Sequence, residues 1–417
     1  MSLFISGGTP LCGEIAVHGA KNSVLPVLAA TILHPGISVI ENCPDLSDVH
    51  SAISILRHLG CRVQREGTRV TVDATELCCC NIPDSLMREM RSSVIFLGAI
   101  LARAGCAEMY FPGGCELGNR PIDLHLSALR ELGAVIEEEG GRICCNAPSL
   151  VAREINLCFP SVGATENIML AASRAAGVTR IRNAAREPEI EDLARFLRSM
   201  GISVHGAGGS VIEVECSQKT KDPMFSVMPD RIVAATYLIG VAMTGGEALV
   251  TKLVPEQIAP ITSLLRESGC NVTVEKDRIF LKATKTLRPC QTVRTMPYPG
   301  FPTDAQAPMM AYATQCDGTS IFVENIFDNR YRHVCELIRL GANIKVEGRV
   351  AVVEGKNELH GARVSATDLR GGAALVLAAL CAEGESRIDE VCHIDRGYES
   401  IESNFSKLGA KIVRREG

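Results

Sequence analysis

Apolar and polar positions along the chain follow one scheme that runs through six times. A stretch rich in Ala, Leu, Val and Ile on every side comes first, at residues 25–31, 94–104, 168–176, 233–243, 307–313 and 373–382. An amphipathic stretch of period 3.6 follows, and then two short runs of period 2. The amphipathic stretch ends each time in a related phrase: Leu56-Arg57-His58-Leu59-Gly60, Leu129-Arg130-Glu131-Leu132-Gly133, Leu197-Arg198-Ser199-Met200-Gly201, Leu265-Arg266-Glu267-Ser268-Gly269, Ile338-Arg339-Leu340-Gly341 and Phe405-Ser406-Lys407-Leu408-Gly409. These glycines stand 73, 68, 68, 72 and 68 residues apart, which marks an internal repeat.

A glycine closing a helix takes a left-handed conformation that other residues adopt only at a cost. Alternation such as Val70-Thr71-Val72 and Val211-Ile212-Glu213-Val214, after turns at Glu66-Gly67, Gly140-Gly141, Gly208-Gly209 and Glu347-Gly348, predicts hairpins. Each unit thus reads helix, strand, loop, helix, strand, strand. At about 70 residues it is too small to bury its own core and must stack on its neighbours. The all-round apolar helices belong inside, wrapped by sheets. The last unit breaks off after Gly409 with residues for one strand, and its missing partner is expected from the orphan N-terminal segment, 3–5 or 14–18. Closure of that kind predicts an α/β protein of two domains with three repeats each. The first domain spans 21–229, and the second is discontinuous, 1–20 with 230–417.

Composition narrows the functional classes. The chain has 417 residues, 46% hydrophobic, with only 4% aromatics, no Trp and a net charge of −5. A protein that binds nucleic acid by neutralising phosphates needs the opposite sign, and stacking platforms need aromatics. The most apolar run, 373–382, is far short of the ~20 residues that span a bilayer. No basic and apolar leader opens the chain, so a cytoplasmic location is expected and the 18 Cys are expected to be reduced thiols. Cys78-Cys79-Cys80 and Cys144-Cys145 lack zinc-site spacing and read as small apolar fillers.

Polar residues precede all six apolar helices: Gly19-Ala20-Lys21-Asn22, Met90-Arg91-Ser92-Ser93, Ser161-Val162-Gly163-Ala164-Thr165, Pro229-Asp230-Arg231, Pro302-Thr303-Asp304 and Thr367-Asp368-Leu369-Arg370. Capping accounts for the Ser, Thr, Asp and Asn. It does not account for Lys21, Arg91, Arg231 and Arg370, because a cation at a helix start opposes the helix dipole. Such cations point to an anion held among them. The loop of the second unit adds Cys115 and Arg120 among three glycines and two prolines. Its composition over 112–120 predicts a lid, and a thiol there is open to tuning by a neighbouring cation. Arg396 occupies the matching loop of the sixth unit.

Taken together, Gly19-Ala20-Lys21-Asn22, Pro112-Gly113-Gly114-Cys115, Arg120-Pro121-Ile122-Asp123-Leu124-His125, Ser161 to Asn167, Ala185 to Ile190, Pro299 to Asp304 and Asp395-Arg396-Gly397-Tyr398 resemble the UDP-N-acetylglucosamine enolpyruvyl transferase family, in order along essentially the whole chain. The resemblance implies two inside-out α/β barrels, each of three βαβαββ-type repeats. It implies transfer of enolpyruvyl from phosphoenolpyruvate to the sugar 3-hydroxyl with release of phosphate, the first committed step of peptidoglycan synthesis. That places the chain in cell-wall biogenesis, cell shape, division and the cell cycle. The implied substrates are phosphoenolpyruvate and UDP-N-acetylglucosamine, with no metal or other cofactor; no nucleic acid and no membrane insertion are expected, and the sequence leaves the oligomeric state open with a monomer favoured. By the same resemblance Lys21, Arg120 and Arg396 hold phosphoenolpyruvate, and Cys115 is the target of fosfomycin and can form a covalent adduct with phosphoenolpyruvate; the reaction's proton transfers read Cys115 as acid, with the covalent role left open beside it, and Asp304 as base. Asn22, Arg91, Arg120, Pro121, Ile122, Asp123, Leu124, Ser161, Val162, Gly163, Asp304 and Ile326 surround the nucleotide sugar.

Other readings stand beside these. Asp304 is equally suited to cap its helix, and Arg186, Glu187 and Glu189 read as a solvated charge run. Gly371-Gly372 follow Arg370 where a better helix former is expected, which predicts a loose helix start, and Pro308 sits close to the base. A shikimate-3-phosphate enolpyruvyl transferase is the near functional alternative, and a non-catalytic repeat scaffold the distant one.

Overall fold

The computed structural model describes residues 1–111, 122–217, 219–356 and 358–416, and at Arg91 the backbone alone. Two compact units form: an inserted one of residues 19–111 and 122–228, and a discontinuous one of residues 1–18 and 229–416. Three buried helices pack on one another in each. They are Lys21–Ala30, Phe96–Ala104 and Val162–Ala172 in the inserted unit, and Arg231–Met243, Gln306–Ala313 and Leu369–Cys381 in the discontinuous one. Every residue of Arg231–Met243 is buried, as an all-round apolar helix requires. Five of the six begin upstream of the apolar pattern, because their polar residues form the first turn. The exception, Phe96–Ala104, is led in by a short 3₁₀ turn, Arg91–Ile95.

Small sheets cover these helices. The third repeat shows the plan: Glu154–Asn156 lies parallel to Val178–Arg182, which pairs antiparallel with Val211–Glu215, which pairs with Ser203–His205. The six glycines that close the amphipathic helices all have φ between +93° and +107°. The truncated sixth repeat is completed by Ser2–Ser6, antiparallel to both Lys411–Arg415 and Glu385–Asp389, so of the two candidate segments residues 3–5 supply the strand. The other segment, Cys12–Ala16, lies parallel to Glu247–Thr251 in the fourth repeat, and Met224–Ser226 does the same for Ile37–Glu41 in the first. Each unit therefore has its first repeat completed by a distant piece of chain. Among the described residues, five sheets have four strands. That of the second repeat has three, with an isolated parallel bridge, Asn81 to Glu108, in the fourth place.

The expected loose start at Gly371-Gly372 is not found. Asp368 caps Leu369–Cys381 by accepting from the Arg370 and Gly371 N–H groups, both at 3.0 Å. A Cβ on Gly371 would lie 2.6 Å from that carboxylate, and one on Gly372 2.6 Å from the Ile394 side chain. The glycines are there for close packing. Pro308 is the third residue of Gln306–Ala313, where the helix needs no N–H from it.

One buried contact ties together the inner helices that carry the site segments of the inserted unit. The Asn167 amide accepts from Gly98 N–H at 2.7 Å and donates to the Val94 carbonyl at 2.9 Å and to His125 Nδ1 at 2.7 Å. With Nδ1 an acceptor, His125 is neutral, and burial lowers its pKa to about 4. Gly98 permits the approach: its Cβ would stand 2.4 Å from the Asn167 carbonyl oxygen.

Two outcomes follow from this contact. Gly98→Ala lowers stability by about 1–3 kcal/mol, read as an earlier urea transition of the inserted unit, because the obstructing atom is backbone. For His125 the folded pKa lies below the unfolded value, so its contribution is complete above about pH 6.5 and is lost as pH falls toward 4, at most about 3 kcal/mol. Urea midpoints measured across that window decline, and His125→Gln, which cannot charge, removes this part of the decline.

Candidate active site

In the inserted unit, Lys21 opens the first inner helix with no side-chain cap behind it, since Ala20 occupies the cap position. Its ammonium lies 2.8 Å from Asp48 Oδ2, and both side chains are buried. Asp48 stands in the first turn of Ser47–His58, where the helix dipole favours a carboxylate. Asn22, next to Lys21, is exposed. The segments around 122–124 and 161–163 come together: a Cβ on Gly163 would meet the His125 ring at 3.0 Å. Ser161 caps Val162–Ala172 by accepting from Ala164 N–H at 3.3 Å. Asp123 starts the helix Asp123–Glu131 in solvent, with Ile122 buried behind it and Leu124 half-buried.

In the discontinuous unit, Asp304 lies in the 3₁₀ turn Thr303–Ala305 that leads into Gln306–Ala313. It does not cap the helix. Its Oδ2 accepts from Arg370 Nε at 3.2 Å and Nη2 at 3.0 Å, and its Oδ1 accepts from Arg330 Nη2 at 3.2 Å. Both arginines are buried, whereas the Asp304 side chain keeps 27% exposure, so the carboxylate is gripped from the protein side and open on the other. Burial opposes the charge on Arg370, but Asp304 and its neighbours more than offset this and hold its pKa above the ordinary value. The Arg370 guanidinium also lies 5.4 Å from the Tyr398 ring centroid, and the Tyr398 hydroxyl shares a 2.9 Å hydrogen bond with Thr236.

Ile326 belongs to the same neighbourhood. Buried Glu324 accepts from the Thr303 hydroxyl at 3.1 Å and from the Ile326 and Phe327 N–H groups at 2.9 and 3.1 Å, which fixes the 324–327 turn beside Asp304. Arg396 is half-buried in the turn after Val391–His393. Its neighbour Asp395 is held bidentately by Arg414 at 2.7 and 2.8 Å. Asp230 caps its own helix through Ile232 and Val233, and Arg231 faces the Tyr298 ring at 5.8 Å.

Cys115, Arg120, Pro121 and the lid reading of 112–120 lie outside the described residues, as does the Arg91 side chain. At two of the helix starts read as cation sites, the cation faces a carboxylate of the protein: Lys21 faces Asp48 and Arg370 faces Asp304. The solvated charge run holds at Arg186, which is exposed, and partly at half-buried Glu187, but not at Glu189. Glu189 is buried, and burial with Glu189 and Glu187 nearby raises the pKa of fully buried Glu166 well above the carboxylate range. Sequence reasoning missed Asp48, Arg330 and Glu324. Asp48 left a signal as the acid in the first turn of a predicted helix, but Arg330 and Glu324 sit in irregular chain. Among the described residues, Glu390, Cys392 and His393 have donor atoms within 4.8 Å of one another, and this one metal-like grouping is not part of the Asp304 cluster.

A family model described as EPSP synthase (3-phosphoshikimate 1-carboxyvinyltransferase) matches residues 5–405. UDP-N-acetylglucosamine 1-carboxyvinyltransferase 2 of Caldanaerobacter subterraneus subsp. tengcongensis is 52% identical over 410 residues, 98% of each chain. UDP-N-acetylglucosamine 1-carboxyvinyltransferase 1 of Symbiobacterium thermophilum is 48% identical over 416 residues, 98% of this chain and 94% of that one. Among solved structures, the enolpyruvyl transferase NikO from Streptomyces tendae superposes with a TM-score of 0.90 at 24% identity, covering 99% and 98% of the two chains. An EPSP synthase from Acinetobacter baumannii gives 0.76 at 18% identity, covering 99% of both. These two likenesses establish the two-domain α/β fold. With the same repeats running the length of both units, the chain belongs to the EPSP synthase family of carboxyvinyltransferases, and within it to the UDP-N-acetylglucosamine 1-carboxyvinyltransferases.

Proposed function

We propose that the protein transfers the enolpyruvyl group of phosphoenolpyruvate to the 3-hydroxyl of UDP-N-acetylglucosamine, and so performs the first committed step of peptidoglycan synthesis in the cytoplasm. The observation that carries the reading is near-full-length likeness, at about half identity, to relatives bearing that activity in their names. We assign 21–229 and 1–20 with 230–417 as its two domains. The resemblance extends the reading to cell shape and division, and to inhibition by fosfomycin.

The reaction adds the sugar oxygen to C2 of the enol and a proton to its methylene carbon, then expels phosphate as that carbon loses a proton. Asp304 takes the hydroxyl proton. Its two arginines fix the plane of the carboxylate, and its exposed side leaves room for a hydroxyl. Cys115 supplies the proton to the methylene carbon. Lys21, Arg120 and Arg396 balance the phosphate and carboxylate of phosphoenolpyruvate and the charge that develops as phosphate leaves. A lysine ammonium has three donors, so the bond to Asp48 orients Lys21 without excluding a phosphate. Asn22, Arg91, residues 120–124, Ser161 to Gly163 and Ile326 receive the nucleotide sugar.

Phosphate release from phosphoenolpyruvate tests the assignment. Turnover with UDP-N-acetylglucosamine and none with shikimate 3-phosphate supports it. The reverse preference makes the protein a shikimate-branch enzyme, and turnover with neither leaves the scaffold reading. Asp304→Asn is expected to lower kcat by ~10²–10⁴-fold, the range for loss of a positioned base, and to lower stability as well, because buried Arg330 and Arg370 lose their counter-charge. Cys115→Ser severely impairs turnover, whereas Cys115→Asp, which keeps an acid, stays active and resists fosfomycin. Full activity of the Ser variant removes the thiol from the mechanism.

A further inference from the structure

The second repeat has the weakest sheet edge among the described residues. Where the other five sheets carry a fourth strand, it has the irregular segment 78–82, joined to the strand Cys106–Tyr110 by one bridge. The bridge consists of two backbone bonds, Glu108 N–H to the Cys80 carbonyl at 2.9 Å and Ile82 N–H to the Glu108 carbonyl at 2.8 Å. Beside it the side chains of Cys80 and Cys106 meet, the Cys106 thiol donating to the Cys80 sulfur with the sulfurs 3.0 Å apart. A disulfide needs about 2.05 Å, so the two sulfurs must approach by roughly 1 Å for the bond to close. Both thiols are half-buried, within reach of a small reagent. The adjoining thiols are engaged elsewhere: Cys78 and Cys79 both donate to the His58 carbonyl, at 3.8 and 3.2 Å.

We propose that Cys80 and Cys106 are a redox modification site, forming a reversible disulfide with low-molecular-weight disulfides of the glutathione class and so clasping the edge that lacks a strand. The triplet 78–80, read from sequence as filler, thereby gains a separate use for its last member. The chemistry is two successive exchanges. One protein thiolate attacks glutathione disulfide and releases one glutathione thiolate. The second protein thiolate attacks the mixed disulfide, forms the internal bond and releases the other. Two electrons and two protons leave the protein, and one glutathione disulfide becomes two thiols. The Cys106 contact and burial push the Cys80 thiol up to about 11, so exchange at neutral pH is slow and quickens as pH rises. The closed bond restrains the segment that leads into Asp84–Glu89 and the Arg91 turn.

The test equilibrates the full-length protein with glutathione disulfide and glutathione at rising ratios, blocks remaining thiols, and maps linked peptides by tandem mass spectrometry. The expected product joins Cys80 to Cys106, two hydrogens lighter than the dithiol, with slower amide exchange over 78–82 that dithiothreitol reverses. Cys80→Ser and Cys106→Ser each abolish the link and the added protection, leaving at most a mixed disulfide on the remaining thiol. Only mixed disulfides in the wild type, links from Cys106 to Cys78 or Cys79 instead, or an unchanged dithiol at saturating glutathione disulfide overturns the proposal.

Discussion

Six helices with no face to offer water determine most of what this chain can do. An all-round apolar helix must be enclosed, and three of them enclosed together leave most polar chemistry to their ends, with Glu166 and Asn167 the buried exceptions within Val162–Ala172. The sheets take up the solvent boundary, and the residues with freedom to be polar collect where the inner helices begin. Lys21, Ser161, Asp230, Asp368 and Arg370 are all there, and Asp304 stands one short turn upstream.

Concentrating charge at buried helix starts creates its own difficulty, because a cation there is disfavoured by desolvation and by the dipole. The protein answers with internal partners. Asp48 meets Lys21 from the favoured end of another helix, and Asp304 lies between Arg370 and Arg330. Each pairing fixes a side chain in one orientation, which a catalytic group needs more than it needs added stability. The Asp304 side chain keeps 27% exposure, whereas its two arginines are buried.

The repeat and its closing glycines were legible because they rest on local rules: periodicity of 3.6 and 2, and a glycine at positive φ. The inner helix starts were legible only as polar punctuation, since the apolar pattern stops a turn before the helix does. Other features were hidden because their cause is tertiary. The residue after the first strand of the repeat is left-handed in four repeats, as Asn42, Asn183, Lys252 and Glu390, and the changing residue type conceals the shared backbone. Gly371 and Gly372 look like helix breakers until Asp368 and Ile394 are seen against them. Arg330 and Glu324 come from irregular chain, where no pattern marks them. The resemblance supplied site residues that composition and spacing alone did not rank.

On the proposed reading, the pairings also shape substrate binding. A phosphate reaching Lys21 meets an ammonium already paired with Asp48, and must gain enough from other donors to justify sharing it. Breaking such a buried pair outright leaves an uncompensated charge and costs about 3–5 kcal/mol. Binding that keeps the Asp48 contact avoids most of that cost. The same holds at Asp304, where a hydroxyl can approach the open side while both guanidiniums stay in place. Prearranged pairs of this kind allow the charge to be in position before the substrate arrives, so little reorganisation remains for the reaction itself.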